Sequence, residues 1–423
     1  MKKVNGKSYL LIGLSLIFIG ILTLIGSVEL FKNVATLAMI LIILITIKDL
    51  FSLIIKKPKL DIKLFIRIIN VILAILAYIF NEYSIAIVPI IFAIYALLNS
   101  LGYFINFGIV KINKESGGFI YFMRGLICLI LGVTLLFRPL LHLDIMLSVI
   151  GIYSLLLGIS FISDYLEVNN YRKLFQFRIS LPTIIEAFIP ISVLQKINKT
   201  VNDNDEIKVD KNKKDEQTDL EIFIHVTENG YGQLGHMDMC FGNEIISFGN
   251  YDKNTYKFYD LIGTGVLFST TNIDKYIKFC IEDNKKTLFS FGIKLNNKEK
   301  KQIKENINKL KSQLKEWEPP YLKAKNEKKR VKKEDYIDYS SRLYRATKAK
   351  FYKFKLSNYR IYFILGSNCV TLINKILGKI LKSKLRFYGF MTPGTYYDYL
   401  EREYLKKNSI VVSKKIYSKE TIK

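Results

Sequence analysis

Histidine and cysteine are both scarce in this 423-residue chain. Three histidines exclude a His-rich metal centre. Four cysteines (Cys128, Cys240, Cys280, Cys369) with no CxxC pair exclude a zinc ribbon and a disulfide framework, and suit a reducing compartment. Acidic residues are short as well: 37 Asp and Glu face 63 Lys and Arg, for a formal net charge of +26. The imbalance is uneven. Residues 1–195 hold 17 basic and 9 acidic side chains; the rest of the chain holds 46 and 28. Hydrophobic residues make up 50% of the chain and charged residues 24%, so an apolar half is joined to a polar, basic half. That division excludes a simple soluble enzyme, a wholly disordered chain and a disulfide-stapled secreted module.

What the first half has is long apolar runs. Crossing a hydrocarbon core of about 30 Å takes about 20 helical residues. Six stretches fit: Tyr9–Val28, Val34–Ile55, Leu64–Phe80, Ser84–Phe107, Phe119–Phe137 and Ile145–Ile162. The first is too long for a signal peptide, lacks a small-residue cleavage site, and is followed at once by another span. Alternate connections carry twelve Lys and Arg against two in the others. This bias predicts an inner-membrane protein with both termini in the cytoplasm. Lys7, Arg67 and Arg124 each open a pair of apolar helices, so residues 1–167 read as three hairpin repeats, an all-α polytopic domain of six transmembrane helices.

The third hairpin resembles the HdeD-like family of small six-span membrane proteins. Arg124, Gly125, Gly132, Pro139, Gly151 and Gly158 carry the resemblance, which covers about residues 5–165. That family is associated with acid resistance and has no known chemistry. The helix glycines read as close-packing positions rather than ligand sites.

Residues 168–197 are apolar but interrupted by Arg178, Pro182, Glu186 and Pro190, which suits an amphipathic segment on the membrane surface. Residues 198–219 are a flexible charged linker, 220–405 a folded α+β domain, and 406–423 a basic tail. In the folded part Leu220–Val226 alternates like a strand. His236–Phe241 and Glu244–Phe248 flank Gly242-Asn243 as a hairpin. Further strands are expected at Gly265–Ser269 and Lys286–Lys294, with helices at Ile273–Asp283 and Asn297–Trp317.

The chemistry rests on two residues. The hairpin register puts His236, Asp238 and Cys240 on one face, with Ser247 opposite Asp238. Cys369 follows Gly366-Ser367-Asn368 at a helix start, where unpaired amides and the helix dipole favour a thiolate. An imidazole beside such a thiolate is what acyl transfer by a cysteine nucleophile requires, and the Cys369 amide is a ready oxyanion donor.

Gly235-His236 and Asn368-Cys369 resemble the Gly-His strand start and Asn-Cys helix start of the circularly permuted, NlpC-related papain-like fold. Lecithin:retinol acyltransferase-like proteins and the bacterial YiiX-like lipases and amidases belong to that group. The resemblance covers roughly Asp219–Leu400 and implies Cys369 as nucleophile and His236 as base. The third polar residue of the family falls on Ser247, with Asn250 a close alternative. A serine there is a departure, since His, Asn or Gln is usual.

Other groups read more plainly. His225, Cys240 and Cys280 are core residues, and Asp238, on the face of His236, reads first as a surface carboxylate and second as a group that supports the imidazole. No cofactor or metal is called for. The basic run Glu327–Lys333, in a Lys/Arg-rich segment 323–355, points to an anionic inner-leaflet phospholipid surface rather than nucleic acid. Two functions compete: a tethered thiol hydrolase or acyltransferase acting on a lipid or membrane-protein substrate, and a non-catalytic stress-type membrane protein whose soluble domain binds a ligand or lipid.

Overall fold

The computed structural model describes residues 6–26, 33, 40, 81–112, 118–137, 143–168, 218–227, 235–283, 286–329, 331–355, 357–377, 392–406 and 409–418. Four apolar helices, Gly6–Ile25, Asn81–Ile112, Gly118–Phe137 and Leu143–Val168, stand where the first, fourth, fifth and sixth spans are expected. Three contain stretches long and apolar enough to cross a membrane: Pro89–Ile112, Gly118–Phe137 and Asp144–Ser163. The first helix offers a shorter apolar stretch, Tyr9–Ile25. The expected spans Val34–Ile55 and Leu64–Phe80, the surface segment and most of the linker lie outside the described residues.

Glycine sets how closely these helices approach. A Cβ on Gly158 would stand 2.7 Å from the Gly13 carbonyl, and one on Gly151 would stand 2.7 Å from the Leu24 side chain. A Cβ on Gly132 would come within 2.7 Å of Leu97, and the Ser100 hydroxyl donates to the Gly125 carbonyl at 2.8 Å. Small residues thus let helix backbones meet where no hydrophobic force drives association within lipid. Leu11, Phe18, Phe119 and Ile145, each more than 60% exposed, show how much apolar surface the helices present outward.

The second half is an antiparallel sheet packed with helices. Its strands are β1 (Leu220–Val226), β2 (His236–Phe241), β3 (Glu244–Gly249), β4 (Ile262–Thr264), β5 (Val266–Thr270), β6 (Thr287–Ile293), β7 (Leu314–Glu316), β8 (Lys350–Phe354), β9 (Ile361–Phe363) and β10 (Val411–Tyr417). Eight form one sheet in the order β10-β6-β1-β2-β3-β5-β8-β7, and β4 pairs with β9 in a separate ribbon. The β2–β3 turn is Gly242-Asn243, both at positive φ (57° and 63°), as a tight hairpin of this twist requires.

Alternation along the strands separates two cores. Ile222, Ile224, Met237, Met239, Ile246 and Phe248 face helices Asn297–Lys311, Cys369–Leu377 and Pro393–Tyr404. Phe223, Ile245 and Phe268 face Tyr276, Phe279, Leu343 and Phe351 on the other side. Each large apolar side chain so buried contributes roughly 1.5–3 kcal/mol.

Two elements of the fold differ from the sequence reading. The expected helix Asn297–Trp317 stops at Lys311, and Leu314–Glu316 becomes β7, with Leu314 paired to Phe354. Leu314 satisfies the helical spacing, but it is buried as well by pairing with a strand far along the chain. The expected basic tail supplies β10, which pairs with β6 and buries Val411. Alternation in Val411–Tyr417 is weak because one face of an edge strand stays half-exposed.

Candidate functional site

His236 is the first residue of β2, and Gly235 is what brings the chain there. Gly235 has φ +81°, and a Cβ on it would lie 3.1 Å from the Pro393 Cβ and 3.2 Å from the His225 carbonyl. Only glycine fits both the left-handed backbone and that approach. Met239 pairs with Ile246, and the same register sets Asp238 beside Ser247 on the face that carries His236.

Cys369 opens its helix because Asn368 caps it. The Asn368 side-chain oxygen accepts from the Thr371 amide at 2.9 Å, and the Thr371 hydroxyl accepts from the Asn368 amide at 2.9 Å. The Asn368 side-chain NH2 donates to the Ile364 carbonyl at 2.7 Å. The Asn of the Asn-Cys pair is therefore a cap that ties the helix start to the turn before it. The Cys369 amide occupies the first helical position, where no intrahelical acceptor exists.

These two residues, 133 positions apart, meet. The Cys369 sulfur lies close enough to the His236 imidazole and to the Tyr362 hydroxyl on β9 to act on the charge of each. His236 Nε2 lies 3.0 Å from the Ser247 hydroxyl and 2.9 Å from the Tyr251 hydroxyl, and those hydroxyls bond each other at 2.7 Å. Of the two expected third residues, Ser247 meets His236. Asn250 stands elsewhere: its side chain donates to the Asp260 carbonyl at 3.2 Å.

Asp238, expected at the surface, is fully buried at the centre of this group. Its Oδ1 lies 2.9 Å from His236 Nε2, an ion-pair contact rather than an aligned hydrogen bond. Its Oδ2 accepts from the Tyr276 hydroxyl and lies 2.7 Å from Nε2 of His225. One carboxylate is thus flanked by two imidazoles in a dry setting, and their titrations part. Burial opposes charge on His236, but Asp238 and the Cys369 sulfur outweigh it and raise its pKa to about 10. Burial wins at His225, whose pKa falls to about 4 despite Asp238. Burial likewise opposes the Asp238 charge, and His236 and His225 outweigh it and hold the carboxyl well below its usual range. At neutral pH the group holds one imidazolium and one neutral imidazole.

Sequence reasoning missed Tyr251, Tyr276 and Tyr362 and misplaced Asp238. A signal for Asp238 existed: it sits two positions from His236 on the same face of a strand otherwise made of Met, Cys and Phe. Burial pushes the Cys280 thiol up to about 12 and, with Glu221 and Glu244 adding to it, the Cys240 thiol to about 12. Among the described residues no group of three or more His, Cys, Asp or Glu side chains is arranged to hold a metal ion.

No family model matches the chain, and neither a curated protein nor a solved structure shows significant similarity to it.

Proposed function

We propose that the protein is a membrane-tethered thiol hydrolase or acyltransferase acting on an amide, ester or thioester of a lipid or membrane-associated substrate. In this reading the α+β half is a permuted papain-like domain on the cytoplasmic side. The apolar half is an HdeD-like six-span anchor with both termini inside. One observation carries it: Cys369, first in its helix, lies beside an imidazole whose Nε2 is engaged by Ser247, Tyr251 and Asp238.

The chemistry follows from that order. His236 is the protonated ring at neutral pH, so in this reading it stands as the imidazolium of an ion pair with the Cys369 thiolate, its Nε2 held by Ser247, Tyr251 and Asp238. The thiolate attacks the substrate carbonyl carbon, and a carbon–sulfur bond forms as the carbon–oxygen, carbon–nitrogen or carbon–sulfur bond to the leaving group breaks. The Cys369 amide steadies the developing oxyanion, and His236 returns its proton to the leaving group. Water or an acceptor hydroxyl or amine then gives His236 a proton and releases the acyl group from sulfur. Asp238 offsets the imidazolium charge throughout, and Ser247 with Tyr251 fixes the ring.

The burial of Cys369, only 2% exposed, favours the competing reading of a ligand-binding domain with a closed cleft. Site-resolved alkylation separates the two. After brief iodoacetamide treatment of the full-length protein near pH 7, mass spectrometry should find Cys369 labelled faster than Cys240 and Cys280, and His236→Ala should slow it. Labelling of Cys369 no faster than those two, and indifferent to His236→Ala, supports the binding domain.

A further inference from the structure

The described α+β domain exposes few large apolar side chains, and most of them gather at one place. Phe258 is 72% and Tyr259 87% exposed, side by side at the tip between Lys257 and Ile262. Leu365, 38% exposed, lies in the turn before Cys369, next to Ile364, whose amide donates to the Leu261 carbonyl at 3.2 Å. The tip belongs to the β4–β9 ribbon that carries Tyr362 and runs on to the Cys369 helix.

This exposure is built into the loop. Phe258, Tyr259 and Asp260 all have positive φ (50°, 54° and 68°), a conformation that bulky side chains rarely adopt and that here turns both rings outward. The base is closed by two backbone hydrogen bonds between Lys257 and Ile262, at 2.8 and 3.3 Å. The Tyr256 hydroxyl donates to the Asn250 carbonyl at 2.8 Å, and the Asn250 side chain braces Asp260. The role of Asn250 is thus to support this loop. Lys253 and Lys257 are exposed at its base.

We propose that Phe258 and Tyr259 insert into the headgroup–acyl boundary of the bilayer that the apolar helices of the same chain enter. Paired aromatic rings favour that layer, where an apolar body and a polar tip are both accommodated. Lys253 and Lys257 match anionic headgroups around it. A braced tip presents the rings already oriented, so little ordering is lost on insertion. Docked this way, the end of the domain that carries Tyr362 and Cys369 faces the leaflet, which makes a lipid acyl group the substrate class within reach. The docking rests on the membrane assignment and not on catalysis.

The single native tryptophan makes the test direct. The full-length protein bearing Trp317→Phe and Tyr259→Trp is reconstituted in phosphatidylcholine–phosphatidylglycerol liposomes containing acyl-brominated lipid. Emission should fall at least twofold relative to unbrominated vesicles, shift to the blue and resist acrylamide. Lys253→Gln with Lys257→Gln should weaken the quenching. Phe258→Trp in the same background is a second reporter should the first variant fold poorly. An indole open to acrylamide and blind to bromine at both positions overturns the docking. Resistance of the same preparations to carbonate extraction reports membrane integration separately, and alkylation of Cys369 reports the catalytic reading.

Discussion

Asp238 and His236 stand two positions apart on one strand, and the carboxylate of the first lies 2.9 Å from Nε2 of the second. The aspartate is fully buried, while the histidine side chain keeps 20% of its surface exposed. The charge that holds the imidazole thus lies beneath it, inside the sheet domain, and the sulfur it serves comes from another element.

The first expectation concerns which neighbour matters most to His236. Asp238→Asn keeps the shape but removes the counter-charge that raises the His236 pKa to about 10, so that pKa should fall. Labelling of Cys369 should then slow about tenfold or more. Ser247→Ala removes one of two hydroxyls at Nε2 and should cost less, because Tyr251 remains at 2.9 Å. Equal effects of the two variants would reverse the assigned roles. Asp238→Ala should also destabilise the fold by about 3–5 kcal/mol, since it leaves a buried cation without its partner.

Stability should fall on both sides of a maximum near pH 6.5, each side belonging to a different histidine. His236 has a folded pKa of about 10, above its unfolded value, so its contribution is complete below about pH 6.5 and is lost as pH rises through 10. His225 is depressed to about 4, so the neutral form is favoured in the fold. Its contribution is complete above about pH 6.5 and is lost as pH falls through 4. Thermal midpoints of the detergent-solubilised protein from pH 4 to 10 check this. His225→Gln should flatten the acid limb, and an acid limb left unchanged would place its origin elsewhere.

Gly235→Ala should move His236 without touching its chemistry. The added Cβ would meet Pro393 and the His225 carbonyl at φ +81°, a strain of about 1–3 kcal/mol. A lower thermal midpoint together with slower Cys369 alkylation is expected. Unchanged alkylation would show that the strand start tolerates the side chain and that Gly235 does not set the imidazole.

The basic bias of the connections predicts the side on which residue 423 lies. A C-terminal fluorescent fusion should be bright and a C-terminal alkaline phosphatase fusion inactive. An active phosphatase would put Cys369 outside and make cell-wall peptides accessible as substrates.

Local pattern determined much of this protein by itself. Alternation marked β1 and the β2–β3 hairpin, because a strand with distinct neighbours on its two faces must alternate, and Gly242-Asn243 accepts positive φ at both turn positions. From that register alone His236, Asp238 and Ser247 share a face. The helix start at Cys369 was legible too, since Asn before a run of apolar helix formers is a capping signal. Long apolar runs placed four described helices for the same reason: composition over about 20 residues is a local property.

Tertiary structure decided the rest, wherever two distant segments had to meet. Nothing within a few residues of Leu314 says that Phe354 will pair with it and end a helix early. The apolar neighbours of Asp238 hint at burial, but only β1 and the helix bearing Tyr276 enclose it and turn an ordinary carboxylate into the counter-charge of the site. Tyr251 and Tyr362 reach His236 and Cys369 only once β3 and the β4–β9 ribbon are folded around them. Burial and long-range pairing depend on which surfaces the whole chain brings together, and local spacing carries no record of that choice.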